Sequence, residues 1–385
     1  MMEKKVLFCA TKDYHFEAFH LPYFKWFKEQ GYKVHTAAHG DLNLPFVDKK
    51  HVIPIQRSPF KKENIMAYKE LKYIIDNNNF QIIHCHTPMG GVLGRLAGRK
   101  ARERDTKMLY TAHGFHFFKG APILNWLVYY PIEKFLARMT DCLITINSED
   151  FQIAIKRNFR AHEITHILGV GVDTNQYHPV STNKKTELRL EKGYCEEDFL
   201  MFYAAEFNKN KNQQLLLRAF SLIKEEVSNA RLLLAGDGPL LEECKMLADS
   251  LGIRNRVDFL GFRKDIDELL KISDLAVASS LREGLPVNIM EAMACGLPII
   301  ANENRGHREL VFNGQNGWLI GRNDEKSFSE KVIKIAGNMG MRKMLGESSY
   351  KMVERKYSTK KILEAKSQLY KSYMEDTEER VWGIH

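Results

Sequence analysis

An α/β architecture of two doubly wound, Rossmann-like domains is the fold class this sequence predicts. Three observations carry it. The chain has 385 residues, long for one core and suited to two domains of roughly 150–200 residues each. Short apolar runs of strand length alternate with amphipathic helical stretches, the pattern of a parallel sheet covered on both faces. The alternation breaks once, over a polar, Lys-rich stretch at 174–193, and then restarts. The expected boundaries are 1–170 for an N-terminal domain, 171–197 for a linker and 198–360 for a C-terminal domain. Residues 361–385 are expected to form a C-terminal helix and tail returning to the first domain. The domains are expected to face each other across a cleft.

Each element follows from local pattern. Residues 5–10, with the run Val6-Leu7-Phe8-Cys9-Ala10, read as the first strand. Residues 17–30 read as an aromatic-rich helix stopped by Gly31. Strands follow at 33–38 and 51–55. In helix 63–78, Ile65, Tyr68, Leu71 and Ile75 recur at helical spacing. Strand 81–85 leads to helix 91–103, where Gly94, Ala97 and Gly98 allow close packing. Strand 107–111, helix 123–139 and strand 142–146 complete the first half. The second half reads as strand 199–204, helix 212–226, strand 230–235, helix 240–251, strand 256–260, helix 265–272, strand 274–278, helix 286–295 and strand 298–301. The charged stretch 375–380 is expected to fray.

Composition excludes several classes. Hydrophobic content of 44% and charged content of 27% are ordinary for a globular protein. No run approaches the roughly 18 apolar residues of a membrane span, and the first apolar run is too short for a signal peptide. A cytoplasmic location is expected. Six cysteines without a CxxC pair suggest neither a disulfide framework nor a zinc knuckle. His84-Cys85-His86 places two imidazoles on one strand face, but nothing in the neighbouring sequence completes a metal site. Residues 1–175 hold 25 Lys and Arg against 17 Asp and Glu, while the remainder is nearly balanced. The basic half fits a solvated surface, an anionic membrane face or a phosphate-bearing acceptor. No helix-turn-helix, zinc or RNP-like pattern points to nucleic acid.

The chemistry concentrates at Arg282-Glu283-Gly284-Leu285-Pro286-Val287-Asn288-Ile289-Met290-Glu291. A strand precedes it and an apolar helix begins within it. Pro286 suits the start of that helix, and the spare N–H groups near Val287 and Asn288 attract anions, phosphate above all. Glu283 stands just before the helix and Glu291 just over one turn inside. Two acceptors around a phosphate-attracting helix end suit a nucleotide sugar.

Several segments, in order and spacing, resemble the GT-B-fold glycosyltransferases of family GT4. They are Leu168-Gly169-Val170-Gly171-Val172-Asp173, Ala235-Gly236-Asp237-Gly238-Pro239-Leu240, Phe259-Leu260-Gly261-Phe262, the Glu283–Glu291 stretch with Ala292-Met293-Ala294-Cys295-Gly296-Leu297-Pro298, and Glu309-Leu310-Val311 with Asn313-Gly314-Gln315-Asn316-Gly317. In the first half, His84-Cys85-His86-Thr87-Pro88 and Thr111-Ala112-His113-Gly114-Phe115-His116 resemble a subgroup that makes bacterial exopolysaccharide or capsule. The resemblance implies retaining transfer from a nucleotide sugar, UDP-linked or alternatively GDP-linked, without metal or other cofactor. Its acceptor would be a saccharide or a polyprenyl-diphosphate-linked glycan, at the inner face of the plasma membrane. The N-terminal domain would bind acceptor and the C-terminal domain donor. Lys211 matches the lysine on the diphosphate, Glu283 the glutamate at the donor sugar and Glu291 the glutamate on ribose. Gly284, Leu285, Pro286 and Val287 line the donor end. His113 matches a histidine near the reacting sugar, the alternative being a structural turn residue. Arg263 lies where the family's chain passes the nucleobase, a surface arginine being the alternative.

Two departures stand out. Where the family carries an arginine before the lysine, this chain has Glu206. Either Lys209 substitutes for it or Glu206 pairs with Lys211. The loop after the first strand lacks the family's paired glycines and reads Thr11-Lys12-Asp13-Tyr14-His15-Phe16, so Asp13 and His15, with His116, become candidates for acceptor contact. Asp265-Ile266-Asp267 opens a helix and reads as structural, not as a metal clamp. The aromatic segment 115–139, with Lys119, Lys134 and Arg138, reads as mostly core with an edge suited to a bilayer surface. The other readings are a sugar-nucleotide epimerase of similar architecture and a catalytically degenerate nucleotide-sugar-binding partner.

Overall fold

The computed structural model describes residues 3–381, with side chains through Met374; the charged stretch 375–380 lies outside the described side chains. Two compact units form. One comprises the residues up to Val170 and those from Ile362 onward, and the other runs Gly171–Lys361.

The first unit contains β1 (Lys5–Lys12), α1 (Tyr14–Phe19), α2 (Leu21–Glu29), β2 (Lys33–His39), β3 (Lys49–Val52), α3 (Glu63–Asp76), β4 (Ile82–His86) and α4 (Pro88–Ala97). It continues with α5 (Arg99–Arg102), β5 (Lys107–Ala112), α6 (Ile123–Ala137), β6 (Cys142–Thr145), α7 (Ser148–Lys156) and β7 (Glu163–His166). Its seven strands pair in parallel, in the order β3-β2-β1-β4-β5-β6-β7. Continuous apolar runs such as Val6–Ala10 are buried on both faces of this sheet, which is why they do not alternate with polar residues.

The second unit contains α8 (Thr182–Glu191), β8 (Phe199–Ala204), α9 (Gln213–Ile223), β9 (Ala230–Ala235), α10 (Leu241–Ser250), β10 (Val257–Gly261), α11 (Ile266–Ile272) and β11 (Leu275–Ala278). Then come α12 (Val287–Ala294), β12 (Ile299–Asn302), α13 (Arg305–Leu310), β13 (Gly317–Ile320), α14 (Glu325–Ala336) and α15 (Met339–Met352). Its six parallel strands order as β10-β9-β8-β11-β12-β13. The last helix, α16 (Thr359–Val381), crosses the boundary between the units. Its Ile362, Tyr370, Tyr373 and Met374 join the first unit's core beside Phe8, Phe24 and Phe27. Both sheets have one topological switch point, between β1 and β4 and between β8 and β11, where loops at the carboxyl edge part and leave room for a ligand.

Several elements differ from the sequence reading. The expected helix 17–30 is two helices meeting at His20, because Pro22 supplies no N–H to continue the first and instead opens the second. The helix expected at 91–103 begins at Pro88, directly after the strand, and a new turn starts at Arg99. The stretch 171–197 is not a bare connector. It contains α8, capped by Ser181, whose Arg189 is buried and donates to the carbonyls of Ile272, Glu196 and Asp198 and to Asp274. Strands β7 and β13 are sheet edges of four residues each, only partly buried, so they lack the continuous apolar run that marks β6, β11 and β12.

Candidate active site

In the second unit the site forms where the loops after β8 and β11 meet. Asn208 Oδ1 accepts from the N–H groups of Asn210 and Lys211, both at 3.0 Å, folding the first loop on itself. The second loop holds it: Leu281 N–H donates to the Asn210 carbonyl at 2.8 Å and Ser279 Oγ to the Lys211 carbonyl at 2.6 Å. This stapling carries Lys211 Nζ to 2.6 Å from Glu283 Oε1. Glu283 is positioned from behind by α13. Arg305 Nε donates to its carbonyl at 3.1 Å, and a Cβ at Gly306 would lie 2.8 Å from the Glu283 Cβ, so only glycine lets the loop close here. The N-terminus of α12 abuts the same place, with Leu285 and Pro286 buried and Gly284 and Val287 half-buried. Asn288 Nδ2 ties this helix to the Ala204 carbonyl at the end of β8.

Glu291 lies inside α12. Burial raises its carboxyl to about 7, partly offset by a hydrogen bond from the Tyr177 hydroxyl. Tyr177 was not a candidate from sequence, because it sits in the stretch taken for a linker.

One donor-side expectation changes. Glu206 is exposed and accepts from Asn208 Nδ2 at 3.0 Å, so it does not pair with Lys211, whose ammonium is taken by Glu283. Lys209 is exposed on the same loop. Arg263 forks onto Asp265 at 2.8 and 2.6 Å. It follows the edge strand β10, two strands and so roughly 10 Å from the switch point. That Arg263 contact, with Lys192 beside it, holds the Asp265 carboxyl far below the usual range, and Asp267 pairs with Lys271 at 2.8 Å. Asp265 thus ties its segment to Arg263 and Lys192, and Asp267 bonds within its own helix.

In the first unit, Thr11 and Thr87 hydroxyls meet at 2.7 Å across the switch point. Around them His15, His20, His86 and His113 form one packed group, with His86 Nδ1 3.3 Å from His113 Nε2. An open groove of about 810 Å³ leads away, lined by His15 and His116, by Met89, Leu93 and Phe117, and by Lys12, Arg57, Lys61 and Lys62. His116 stacks on Tyr129 with ring centroids 4.5 Å apart. Asp13 does not line this groove. Its carboxylate is 4% exposed as a residue, accepts from Leu42 N–H at 2.8 Å and pairs with Lys50 at 3.1 Å. Burial opposes the charge, but those contacts hold the group below its ordinary range, fastening the loop at Gly40. It is a structural residue rather than an acceptor contact.

The aromatics of segment 115–139 divide. Phe115 and Phe117 are core, whereas α6 leaves Ile123, Leu124 and Leu127 between 67% and 77% exposed. Among the described residues no helix is long and apolar enough to cross a membrane.

Two Rossmann-like units with a Lys–Glu pair at one switch point and a histidine-lined groove at the other define a GT-B glycosyltransferase. The chain matches Glycosyl transferases group 1 over residues 184–352 and Glycosyl transferase 4-like over residues 5–147, and it belongs to this glycosyltransferase family. It is 48% identical over 380 residues to EpsD of Bacillus subtilis (strain 168), itself a candidate glycosyltransferase, covering 98% of this chain and 100% of that one. It is 31% identical to the UDP-Gal:alpha-D-GlcNAc-diphosphoundecaprenol alpha-1,3-galactosyltransferase of Escherichia coli, over 71% of this chain and 72% of the relative. The crystal structure of Anabaena HepE in complex with UDP and glucose superposes with a TM-score of 0.79 at 20% identity, covering 96% of this chain and 100% of HepE.

Proposed function

We propose that the protein transfers a sugar from a UDP-linked donor, with retention and without metal, to a polyprenyl-diphosphate-linked glycan during surface polysaccharide synthesis. It would work as a peripheral protein on the inner face of the plasma membrane. The observation that carries the donor half is the Lys211–Glu283 pair at the β8/β11 switch point, beside the amides of α12. As the bond from the anomeric carbon to the diphosphate breaks, its electron pair stays on the leaving oxygen. Lys211 and the α12 amides stabilise that charge, the work a divalent ion would otherwise do. Glu283 accepts from a sugar hydroxyl, and the acceptor's proton passes to the departing phosphate oxygen. The relative from Escherichia coli, a galactosyltransferase from UDP-Gal to alpha-D-GlcNAc-diphosphoundecaprenol, supports this reading.

The groove supports the acceptor half. An apolar floor flanked by four cations suits a lipid tail ending in a diphosphate, and it opens beside the exposed leucines of α6. Burying such a side chain in a bilayer surface gains roughly 1.5–3 kcal/mol. The double variant Leu124→Asp/Leu127→Asp is therefore expected to lower binding to anionic vesicles more than about tenfold in flotation, with unchanged thermal stability. Equal flotation of both proteins would remove α6 from the account.

Glu291 gives donor binding a pH dependence. Ribose hydroxyls need the carboxylate, whose folded-state value is about 7. Affinity for a UDP-sugar, a diphosphate diester with no ionisation of its own near neutrality, should then fall about tenfold from pH 8 to pH 6 and level off above pH 8. In Glu291→Gln the slope should vanish. A wild-type affinity that is flat over this range would contradict the assignment.

A panel of UDP-Glc, UDP-Gal, UDP-GlcNAc, UDP-GalNAc and GDP-Man, incubated with EDTA and with or without bacterial lipid extract, tests the whole reading. Lipid-stimulated nucleotide release from one UDP donor is expected. Saturable binding with no release under any condition would leave a nucleotide-sugar binder instead.

A further inference from the structure

The switch point of the first unit carries a chemistry that sugar transfer does not require. His15, His86 and His113 each bring one ring nitrogen within 4.8 Å of the others, and among the described residues they are the one group of three ligating side chains so placed. Hydrogen-bond directions show where their lone pairs point. His20 Nδ1 lies 3.2 Å from the His15 carbonyl oxygen, which only accepts, so that nitrogen carries the proton. The other nitrogen of neutral His20 is then bare. It lies 3.1 Å from His86 Nε2, which must donate to it. His86 Nδ1 is therefore left as a lone pair, facing His113 Nε2 at 3.3 Å. His15 Nε2 is buried without a hydrogen-bond partner.

We propose that His15, His86 and His113 bind one divalent cation of the zinc class, through His15 Nε2, His86 Nδ1 and His113 Nε2, leaving a fourth position open. The separation of His86 Nδ1 and His113 Nε2 already matches the edge of a tetrahedral zinc site, about 3.4 Å for Zn–N distances near 2.1 Å. Imidazole is a preferred ligand for zinc, nickel and copper. The chain from His86 Nε2–H to His20 and on to a backbone carbonyl is the outer support that orients a metal-bound histidine and fixes its tautomer. His113 needs only to move its proton to Nδ1. His15 rides on the six-residue helix α1, and drawing it in ties this helix to β4 and β5. The site does not depend on the transfer reading, since binding is measured without donor or acceptor.

The test uses the full-length protein, stripped with chelator and titrated with Co²⁺ as a spectroscopic stand-in for Zn²⁺. One equivalent per chain is expected, with the intense visible absorption of a four-coordinate ion, displaced by one equivalent of Zn²⁺. Zn²⁺ should also raise the melting temperature. His15→Asn and His113→Asn should each weaken binding more than about tenfold and cancel that rise, while His51→Asn, in the separate His35/His51 pair, should do neither. A wild-type protein that takes up no stoichiometric Co²⁺, or shows only the weak absorption of a six-coordinate ion, overturns the proposal. So does undiminished binding in both variants. Should either variant fail to fold, the stoichiometry and spectrum of the wild type decide.

Discussion

Lys211→Ala is expected to lower the rate of sugar transfer by roughly two to three orders of magnitude, the usual cost of deleting one fixed donor at a developing negative charge. The loss should fall mainly on kcat, because the charge on the diphosphate leaving oxygen grows between ground and transition state. The loop itself should keep its course. The main chain of Lys211 is held by Asn208 and Ser279, which the substitution leaves in place. The side chain is 23% exposed and its partner Glu283 15% exposed, so a melting curve is needed beside the kinetics to separate any loss of stability from the loss of rate. Steady-state kinetics at saturating donor, with a melting curve beside them, check this. A variant within tenfold of wild type would remove Lys211 from the leaving-group role.

Arg95→Leu is expected to destabilise the first unit by about 3–5 kcal/mol, as breaking a buried ion pair from one side usually does. Arg95 is fully buried in α4. It donates to Glu133 at 2.8 Å and to the Gly91 carbonyl at 2.8 Å, and its guanidinium lies 3.9 Å from the Tyr110 ring centre. Its removal strands the Glu133 carboxylate with only the Tyr110 hydroxyl, 3.3 Å away. Glu133 and Tyr110 also line the groove, so the Arg95–Glu133 pair supports its wall. The double variant Arg95→Leu/Glu133→Leu should recover much of the loss, because no unpaired charge remains. Urea unfolding of the three proteins measures both effects. A single-variant loss under about 1 kcal/mol would mean that water already reaches the pair.

The sequence reading succeeds where the physics is local. Strand runs buried on both faces, the Gly-Leu-Pro entry to α12, and the Glu283 and Glu291 spacing are all visible in a few consecutive residues. Lys211 is marked by the family resemblance alone, and its pairing with Glu283 rather than Glu206 emerges only in the structure. The reading falters where a partner is distant in the chain. Asp13 looks like a mouth residue until Leu42 and Lys50 are seen to occupy its carboxylate. Arg263 forks onto Asp265 after an edge strand, a placement that only strand order reveals. His84 and His86 do share a strand face, with ring centroids 4.1 Å apart, yet they part company. His84 bonds Tyr370 and Thr111, while His86 joins His20 and His113. Only the adjacency of β1, β4 and β5 gathers the four histidines, and that adjacency is a property of crossover topology, not of spacing. Tyr177 was hidden because a polar, Lys-rich composition conceals a helix whose buried anchor is the charged Arg189.

The central claim is transfer to a lipid-linked acceptor, and the fate of a radiolabelled sugar tests it most directly. The protein would be incubated with the preferred UDP-[14C]sugar, EDTA and bacterial lipid extract, then partitioned between organic solvent and water. The account predicts label in the organic phase, released by mild acid as a saccharide, and absent with Lys211→Ala and Glu283→Ala. Label recovered in water as free sugar, with UDP released at the same rate whether or not lipid is present, would contradict it and favour a hydrolytic or epimerising enzyme.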